Sequence, residues 1–429
     1  MSGRIGKRDW TLIWVLGMAG QLCWHVENSV FNTFVYQEVS PNPSIVSWML
    51  AISATATTIS TFLFGTLSDR KARRKCFLVW GYILWAAFTA LFGLAQFLPQ
   101  SSVVLVAAFC VGCDGIMSFF GSMGYDCAFN AWTTDLTDDT NRGQIGGALA
   151  VLPVIATIVG TLISGIIIDS IGFFAFFIVM GALVAICGFL ASAFMKDQPI
   201  EPNKDPKGFA HQFFSVFNFS IVKRNRELFW VFLVLMVYFI GFNVYYPYLN
   251  IFFVNYLGYD LTTSGIIQGI GLLAACALTP IASRFINANR MSWVILISLC
   301  INFLGVVLIT SFSTLAILIL GTFFAGIGYV LVLQSLTAWM KGLYPEDQRG
   351  QFEGVKIIFF VLVPMIAAPM INAPVIRKLG VEMVIDGKIG MVPDSDLFWV
   401  AGCLMMLSLV PLIPASRLMK SRLAISAKA

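Results

Sequence analysis

The sequence predicts an all-α polytopic membrane protein: twelve transmembrane helices in two pseudo-symmetric six-helix bundles. Three observations carry that expectation. Of 429 residues, 58% are apolar and only 11% charged, and the mean hydropathy is +0.84. Soluble domains carry about 25% charged residues, and a soluble fold of this length cannot hide so much apolar surface. The apolar stretches run about 20 residues, the length of a spanning helix, not the alternating ten-residue segments of a membrane barrel. Lastly, Ala131-Trp132 and Arg142-Gly143-Gln144 return as Ala338-Trp339 and Arg349-Gly350-Gln351, and Gly147 as Gly354, all at an offset of 207. A constant offset marks a helical unit duplicated in parallel orientation.

Polar punctuation places the spans in order. Span 1 (10–37) follows Arg4, Lys7 and Arg8 and runs far past the length of a cleavable signal, so it serves as its own targeting signal. Span 2 (44–68) stops at the basic stretch Arg70 to Lys75, after which span 3 (76–98) begins. Span 4 (102–133) ends in Asp135, Asp138, Asp139 and Arg142, and spans 5 (144–168) and 6 (173–195) complete a first bundle, 1–195. The longest polar segment, 196–227, is rich in Asp, Pro, Asn and Lys and reads as a linker at the midpoint. Spans 7 (228–256), 8 (262–285), 9 (292–311), 10 (314–341), 11 (351–376) and 12 (396–416) form the second bundle and tail, 228–429. Gly265 and Gly269 read as a packing surface on span 8, and Pro364, Pro369 and Pro374 let span 11 bend. With both termini in the cytoplasm, 23 of the 27 Lys and Arg lie on that side, the asymmetry expected of a plasma-membrane (inner-membrane) protein.

At the end of span 2 stands Gly65-Thr66-Leu67-Ser68-Asp69-Arg70-Lys71-Ala72-Arg73-Arg74-Lys75. It resembles the loop signature of the major facilitator superfamily of secondary transporters, with Ala72 where that family usually has Gly. The second half keeps only Pro280-Ile281-Ala282-Ser283-Arg284 at the corresponding place. The resemblance implies two bundles moving against each other and a cytoplasmic latch. In that latch Gly65 permits close helix approach, Asp69 pairs with cations or caps a helix, and Arg70, Arg73, Arg142 and Arg349 are gating residues. Tyr125-Asp126 followed by Asp135 and Asp138 to Arg142 is similar to the glycoside–pentoside–hexuronide:cation symporters. Their paired aspartates on helix 2 are replaced here by Thr55, Thr57, Thr58, Ser60 and Thr61.

Span 1 carries Gln21, His25, Asn28, Ser29, Asn32 and Tyr36 on one face, and span 7 carries Asn243, Tyr246 and Asn250 beside Pro247. A polar stripe inside a bilayer must face protein or water. Aligning Asn32 with Asn250 sets His25 on Asn243 and Asn28 on Tyr246, so equivalent helices present equivalent faces. Gln21, His25, Asn28, Asn32, Tyr36, Asn243, Tyr246 and Asn250 are therefore the expected substrate-binding residues, with interhelical bonding as the structural alternative. His25 and Glu27 lie roughly 23–26 Å from the inner start of span 1 at about 1.5 Å per residue, and Asp114 roughly 18 Å inward from the outer start of span 4. In a membrane about 40–45 Å thick these levels coincide. Asp114, Glu27 and Asp126 are the expected cation-coupling groups. Asp114 leads because Ser118, Gly121 and Tyr125 share its face, whereas Glu27 points away from the stripe and must lie against another helix. Glu353 and Lys356 read as a local ion pair.

No phosphate-cradling loop, HExxH or GxSxG is present, so pumping by ATP and enzymatic activity are unsupported. The nine cysteines sit mostly in apolar runs without paired spacing, and no cofactor, metal or nucleic-acid partner is indicated. The expected function is uptake of a small organic solute, a sugar or glycoside leading, coupled to protons or sodium by a monomer in the lipid bilayer. Proton-coupled export of drugs or metabolites, or transport of an amphipathic lipid, are the alternatives.

Overall fold

The computed structural model describes residues 5–99, 102–137, 142–198, 223–287, 291–344, 352, 355–385 and 387–426. Within these, twelve helical stretches follow the expected order. They are α1 (7–39), α2 (Pro43–Lys71), α3 (Arg74–Phe97), α4 (Val103–Asp135), α5 (142–171), α6 (173–194), α7 (Arg226–Tyr256), α8 (Leu261–Asn287), α9 (Met291–Ser311), α10 (Leu315–Leu343), α11 (Val355–Leu379) and α12 (395–426). Length and apolarity alone recover nine crossing stretches among the described residues. One of these contains both α5 and α6, α1 is diluted by its polar stripe, and the apolar part of α8 is only Leu261–Ala274.

Helix α5 passes into α6 at Gly172, whose φ of 83° and ψ of 169° break the helix. An added Cβ there would meet nothing within 4 Å, so the backbone angle, not space, calls for glycine. Among the described residues, α3 ends in a 3₁₀ turn at Gly93–Phe97, α11 contains a π turn at Ile358–Leu362, and three further long helices depart from simple α geometry. Helix α1 contains π-helical turns at Glu27–Phe31 and Val35–Val39, α4 at Ser122–Phe129, and α7 a 3₁₀ turn at Tyr246–Tyr248 followed by a π turn at Phe252–Tyr256. Such turns concentrate at functional positions, and those of α1, α4 and α7 fall on the helices that carry the candidate site residues. An element the sequence reading lacks is a hairpin, β1 (Val381–Ile385) with β2 (Lys388–Val392), turning at Gly387 with φ 77°.

Contacts divide the chain into two compact units, the first being 1–209, 248–266 and 382–392 and the second 210–247, 267–381 and 393–429. In the first, backbone meets backbone where Gly81 of α3 abuts Gly124 of α4. The Tyr82 hydroxyl donates to the Leu16 carbonyl at 2.7 Å, and Phe31 stacks on Phe92 at 4.1 Å and meets Phe177 edge-on. Because lipid is as apolar as the core, close small-residue contacts and buried hydrogen bonds carry the packing. The end of α7, the start of α8 and the hairpin belong to this unit. Thr262 donates its amide and hydroxyl to Asp169, Tyr248 donates to the Pro43 carbonyl, and Met391 and Lys388 donate to the carbonyls of Pro41 and Glu38. In the second unit, Asn302 of α9 donates to Ala325 of α10 at 2.8 Å, and Gly305 of α9 meets α10 at Gly321 and Ala325.

Candidate functional site: an intramembrane carboxyl cluster

The densest buried polar group of the first unit joins α1, α2 and α4. Glu27 Oε1 accepts from Ser53 Oγ of α2 and Ser118 Oγ of α4, each at 2.7 Å. The two serine oxygens are themselves 2.7 Å apart, and Ser118 also lies 2.8 Å from the Asp114 carbonyl. Glu27 is 5% and Asp114 2% exposed, and Glu27 Oε2 and Asp114 Oδ1 have no hydrogen-bond partner among the described residues. Glu27 thus lies against neighbouring helices, as its angle on α1 requires. The hydroxyls standing where paired aspartates were absent tie α2 to α4: Ser60 donates to the Phe119 carbonyl at 2.6 Å, and Thr61 lies 2.9 Å from Ser122. Asp126 is half-buried in the π turn of α4.

The stripe on α1 is held as the residue types dictate. Gln21 donates to the Tyr125 hydroxyl at 2.9 Å, and His25 Nε2 lies 2.8 Å from Thr161 Oγ1 of α5. Asn28 and Asn32 turn their amide nitrogens to the carbonyls of Trp24 and Asn28, at 2.7 and 3.0 Å. Tyr36 is fully buried, its ring 6.0 Å from that of Tyr248 and its hydroxyl unbonded among the described residues. On α7 the continuous stripe expected from ideal spacing is broken, because Pro247 cannot donate to the helix and the chain tightens into the 3₁₀ turn. Asn243, donating to the Phe239 carbonyl at 2.8 Å, and Tyr246, stacked on Phe242, lie in the second unit. Asn250 lies in the first, donating to Ser29 Oγ at 2.6 Å and accepting from Ser264.

A sequence profile of the Major Facilitator Superfamily matches residues 13–369. The chain belongs to this superfamily. It is therefore a multi-pass membrane protein of a family of transporters rather than enzymes. Among solved structures, a mutant form of the nucleoside transporter NupG is similar with a TM-score of 0.72 at 12% identity, covering 94% of this chain and 99% of that one. Another NupG structure has a TM-score of 0.68 at 14% identity, covering 97% and 100%. At these identities the likeness shows the fold. Among curated proteins, no match to the sequence was found.

The described residues cover part of the superfamily signature. Gly65 makes no close approach: an added Cβ would meet nothing within 4 Å, so the packing reason given for it fails in this conformation. Arg70 and Arg73 are exposed, and the buried cation is Arg74, which sequence reasoning did not single out. Its guanidinium pairs with Asp135 at 3.0 Å and donates to Ser68 at 2.6 Å, while Asp197 accepts the amides of Arg74 and Lys75 at the start of α3. The end of α2, the start of α3, the end of α4 and the segment just after α6 are tied through this one residue. Ala72 takes the place of the usual glycine in the left-handed region, φ 48°. The side chains of Asp69 and Arg142, and all of Arg349, Glu353 and the segment 199–222, lie outside the described residues. The duplicated tryptophans bury their rings at both sites, Trp132 donating to the Lys196 carbonyl and Trp339 to Glu227, which also binds Arg422.

Proposed function

We propose that the protein is a secondary active transporter that moves a small polar solute by alternating access, driven by a cation that binds at Glu27 and Asp114. The observation that carries the reading is the pair of carboxyls buried where α1, α2 and α4 meet, each with an oxygen that has no hydrogen-bond partner among the described residues. In hydrocarbon such groups cost several kcal/mol and mark ion pathways when they persist. The bundles 1–195 and 228–429 rock against each other with 196–227 as tether, and both termini are cytoplasmic in the plasma membrane. Gln21, His25, Asn28, Asn32, Tyr36, Asn243, Tyr246 and Asn250 form the solute face, and Asp69, Arg142 and Arg349 close the inner side with the Arg74 cluster.

The amides favour a solute rich in hydrogen-bond donors. A carbonyl can only accept, so the nitrogens of Asn28, Asn32 and Asn243 must be the atoms turned to the backbone. Their side-chain oxygens remain as acceptors for hydroxyl or amino groups. A sugar or glycoside fits, and the fold shared with a nucleoside transporter favours, as a second reading, a nucleoside offering its ribosyl hydroxyls. Uptake of radiolabelled hexoses, pentoses and uridine into vesicles under imposed pH or sodium gradients tests the proposal. Gradient-driven accumulation supports it, whereas efflux of amphipathic dyes from cells without any such uptake refutes it in favour of drug export.

A further inference from the structure

We infer that the hairpin β1–β2 is a strap on the outer face: seated on the turn between α1 and α2 it holds that face shut, and it must come off for the face to open. This rests on the alternating-access reading above and adds to it a releasable part that the reading does not contain.

The seat offers groups that need a partner. The last carbonyls of a helix have none within it, and α1 ends at Val39 in a π turn. Lys388 of β2 donates its ammonium to the Glu38 carbonyl at 2.7 Å, and the Met391 amide donates to the Pro41 carbonyl at 3.1 Å. A cation is also the favoured charge at a helix C-terminus. Between these two bonds Gly390 lies directly on Pro41, where an added Cβ would strike the ring and the carbonyl. Its backbone is not left-handed, so close contact, not angle, calls for glycine here. The seat is stiff, because Pro41 and Pro43 fix their own φ and Asn42 caps α2 by accepting the Ser44 amide at 3.0 Å. Each bond to the hairpin can be exchanged for one to water at modest net cost. The strap is therefore strong enough to bias an equilibrium and weak enough to release.

The connections make release obligatory. Residues 382–392 belong to the first unit, whereas α11 and α12, which the hairpin joins, belong to the second. Only Gly380 separates α11 from β1, and only Pro393 and Asp394 separate β2 from α12. Gly380, with φ −65° and ψ 169°, and Asp394, with φ −110° and ψ −166°, are already extended. An extended residue spans about 3.3–3.6 Å, so these connections hold almost no slack. The outer ends of α11 and α12 cannot draw away from the α1–α2 turn by more than about one such length while the hairpin stays seated. By the 207-residue offset, the equivalents of α11 and α12 are α5 and α6, and they join through Gly172 alone. The hairpin is more chain than the connection needs.

Cysteine labelling in intact cells tests the strap without a known solute. The probe is a membrane-impermeant maleimide added from outside. The target is the full-length protein carrying Asn32→Cys, at a position 2% exposed on α1. Labelling at residue 32, read by peptide mass spectrometry, follows the fraction of time the outer face is open and should be slow with the hairpin intact. Lys388→Met removes a hydrogen bond from a charged donor and should speed it roughly ten-fold. Gly390→Val unseats the strap and should speed it at least as much; where it fails to fold, Lys388→Met still decides. Val384→Ser, at a position 67% exposed on β1, alters the hairpin away from the seat and should leave the rate unchanged. Unchanged labelling in both Lys388→Met and Gly390→Val, or equal acceleration by Val384→Ser, would overturn the inference. Such a result beside gradient-driven uptake by the wild type refutes the strap and spares the transport reading. Faster labelling in both seat variants, with no gradient-driven uptake by the wild type, does the reverse.

Discussion

Arg74 offers the sharpest test of how the junction of α2, α3 and α4 is held. Its side chain is 8% exposed and that of Asp135 14%, with 3.0 Å between the charged atoms. Arg74→Gln keeps some of the stem but removes the charge, leaving Asp135 unpaired and Ser68 without its donor partner. Breaking a fully buried pair costs about 3–5 kcal/mol. The residual access of Asp135 to water lowers this, and we expect a loss of about 2–3 kcal/mol in reversible unfolding from mixed detergent micelles. A double-mutant cycle separates the pair from general damage. If the bond is made as described, Arg74→Gln and Asp135→Asn should couple by about 1.5 kcal/mol or more, the range of a hydrogen bond to a charged group. Asp197 supplies an internal control, since it caps the α3 amides and not the guanidinium; Asp197→Ala should cost about 1 kcal/mol and leave the Arg74–Asp135 coupling intact. Losses for Arg74→Gln and Asp135→Asn that add within about 0.5 kcal/mol would refute the reasoning.

Ala72→Gly should stabilise the protein. The left-handed conformation costs a non-glycine residue about 1–2 kcal/mol, glycine's own entropy returns part of that, and a net gain of about 0.5–1 kcal/mol should appear as a higher unfolding temperature; a fall would contradict it. Asp260 accepts the Thr263 amide and hydroxyl at the start of α8, and the Thr263 hydroxyl holds its carboxyl below the usual aspartate value. Its contribution is therefore present above the ordinary aspartate range and lost as pH falls through the lowered value. Asp260→Ala should be less stable than wild type at pH 7 and indistinguishable from it in strong acid, as thermal unfolding at both pH values would read. Asn32→Leu removes one acceptor and should weaken solute binding by about 1 kcal/mol, roughly five-fold in KM for uptake, with kcat little changed; an unaltered KM would remove Asn32 from the solute face.

Much of the fold was legible because the bilayer writes it into composition. Apolar runs of spanning length and the 207-residue offset suffice for twelve helices, and the break at Gly172 falls within the 169–172 interval between spans 5 and 6. The hairpin was missed although Asp386-Gly387 between Val- and Ile-rich stretches is a turn signal; a search tuned to spans reads it as loop. At the site, residue types were legible and registers were not. Ideal 100° spacing placed Glu27 away from the stripe, but the π turns of α1 and α4 and the Pro247 turn of α7 shift side chains in ways no composition encodes. Ser53 drew no notice in sequence and Ser118 was read only as sharing the face of Asp114; their joint contact with Glu27 emerges only when three helices meet. Arg74 rather than Arg70 or Arg73 is buried because Ala72 in the left-handed region ends α2 and starts a new register.

The central claim is that the buried carboxyls couple a cation gradient to solute movement, and uptake by paired variants tests it most directly. Wild type, Glu27→Gln and Asp114→Asn are reconstituted into vesicles, and accumulation of the labelled solute is followed under an imposed inward proton gradient. The account predicts accumulation against a concentration gradient in wild type, and in both variants only equilibration or exchange, since the amides keep the shape and lose the charge. Wild-type accumulation in both variants would contradict it and leave the carboxyls as structural groups.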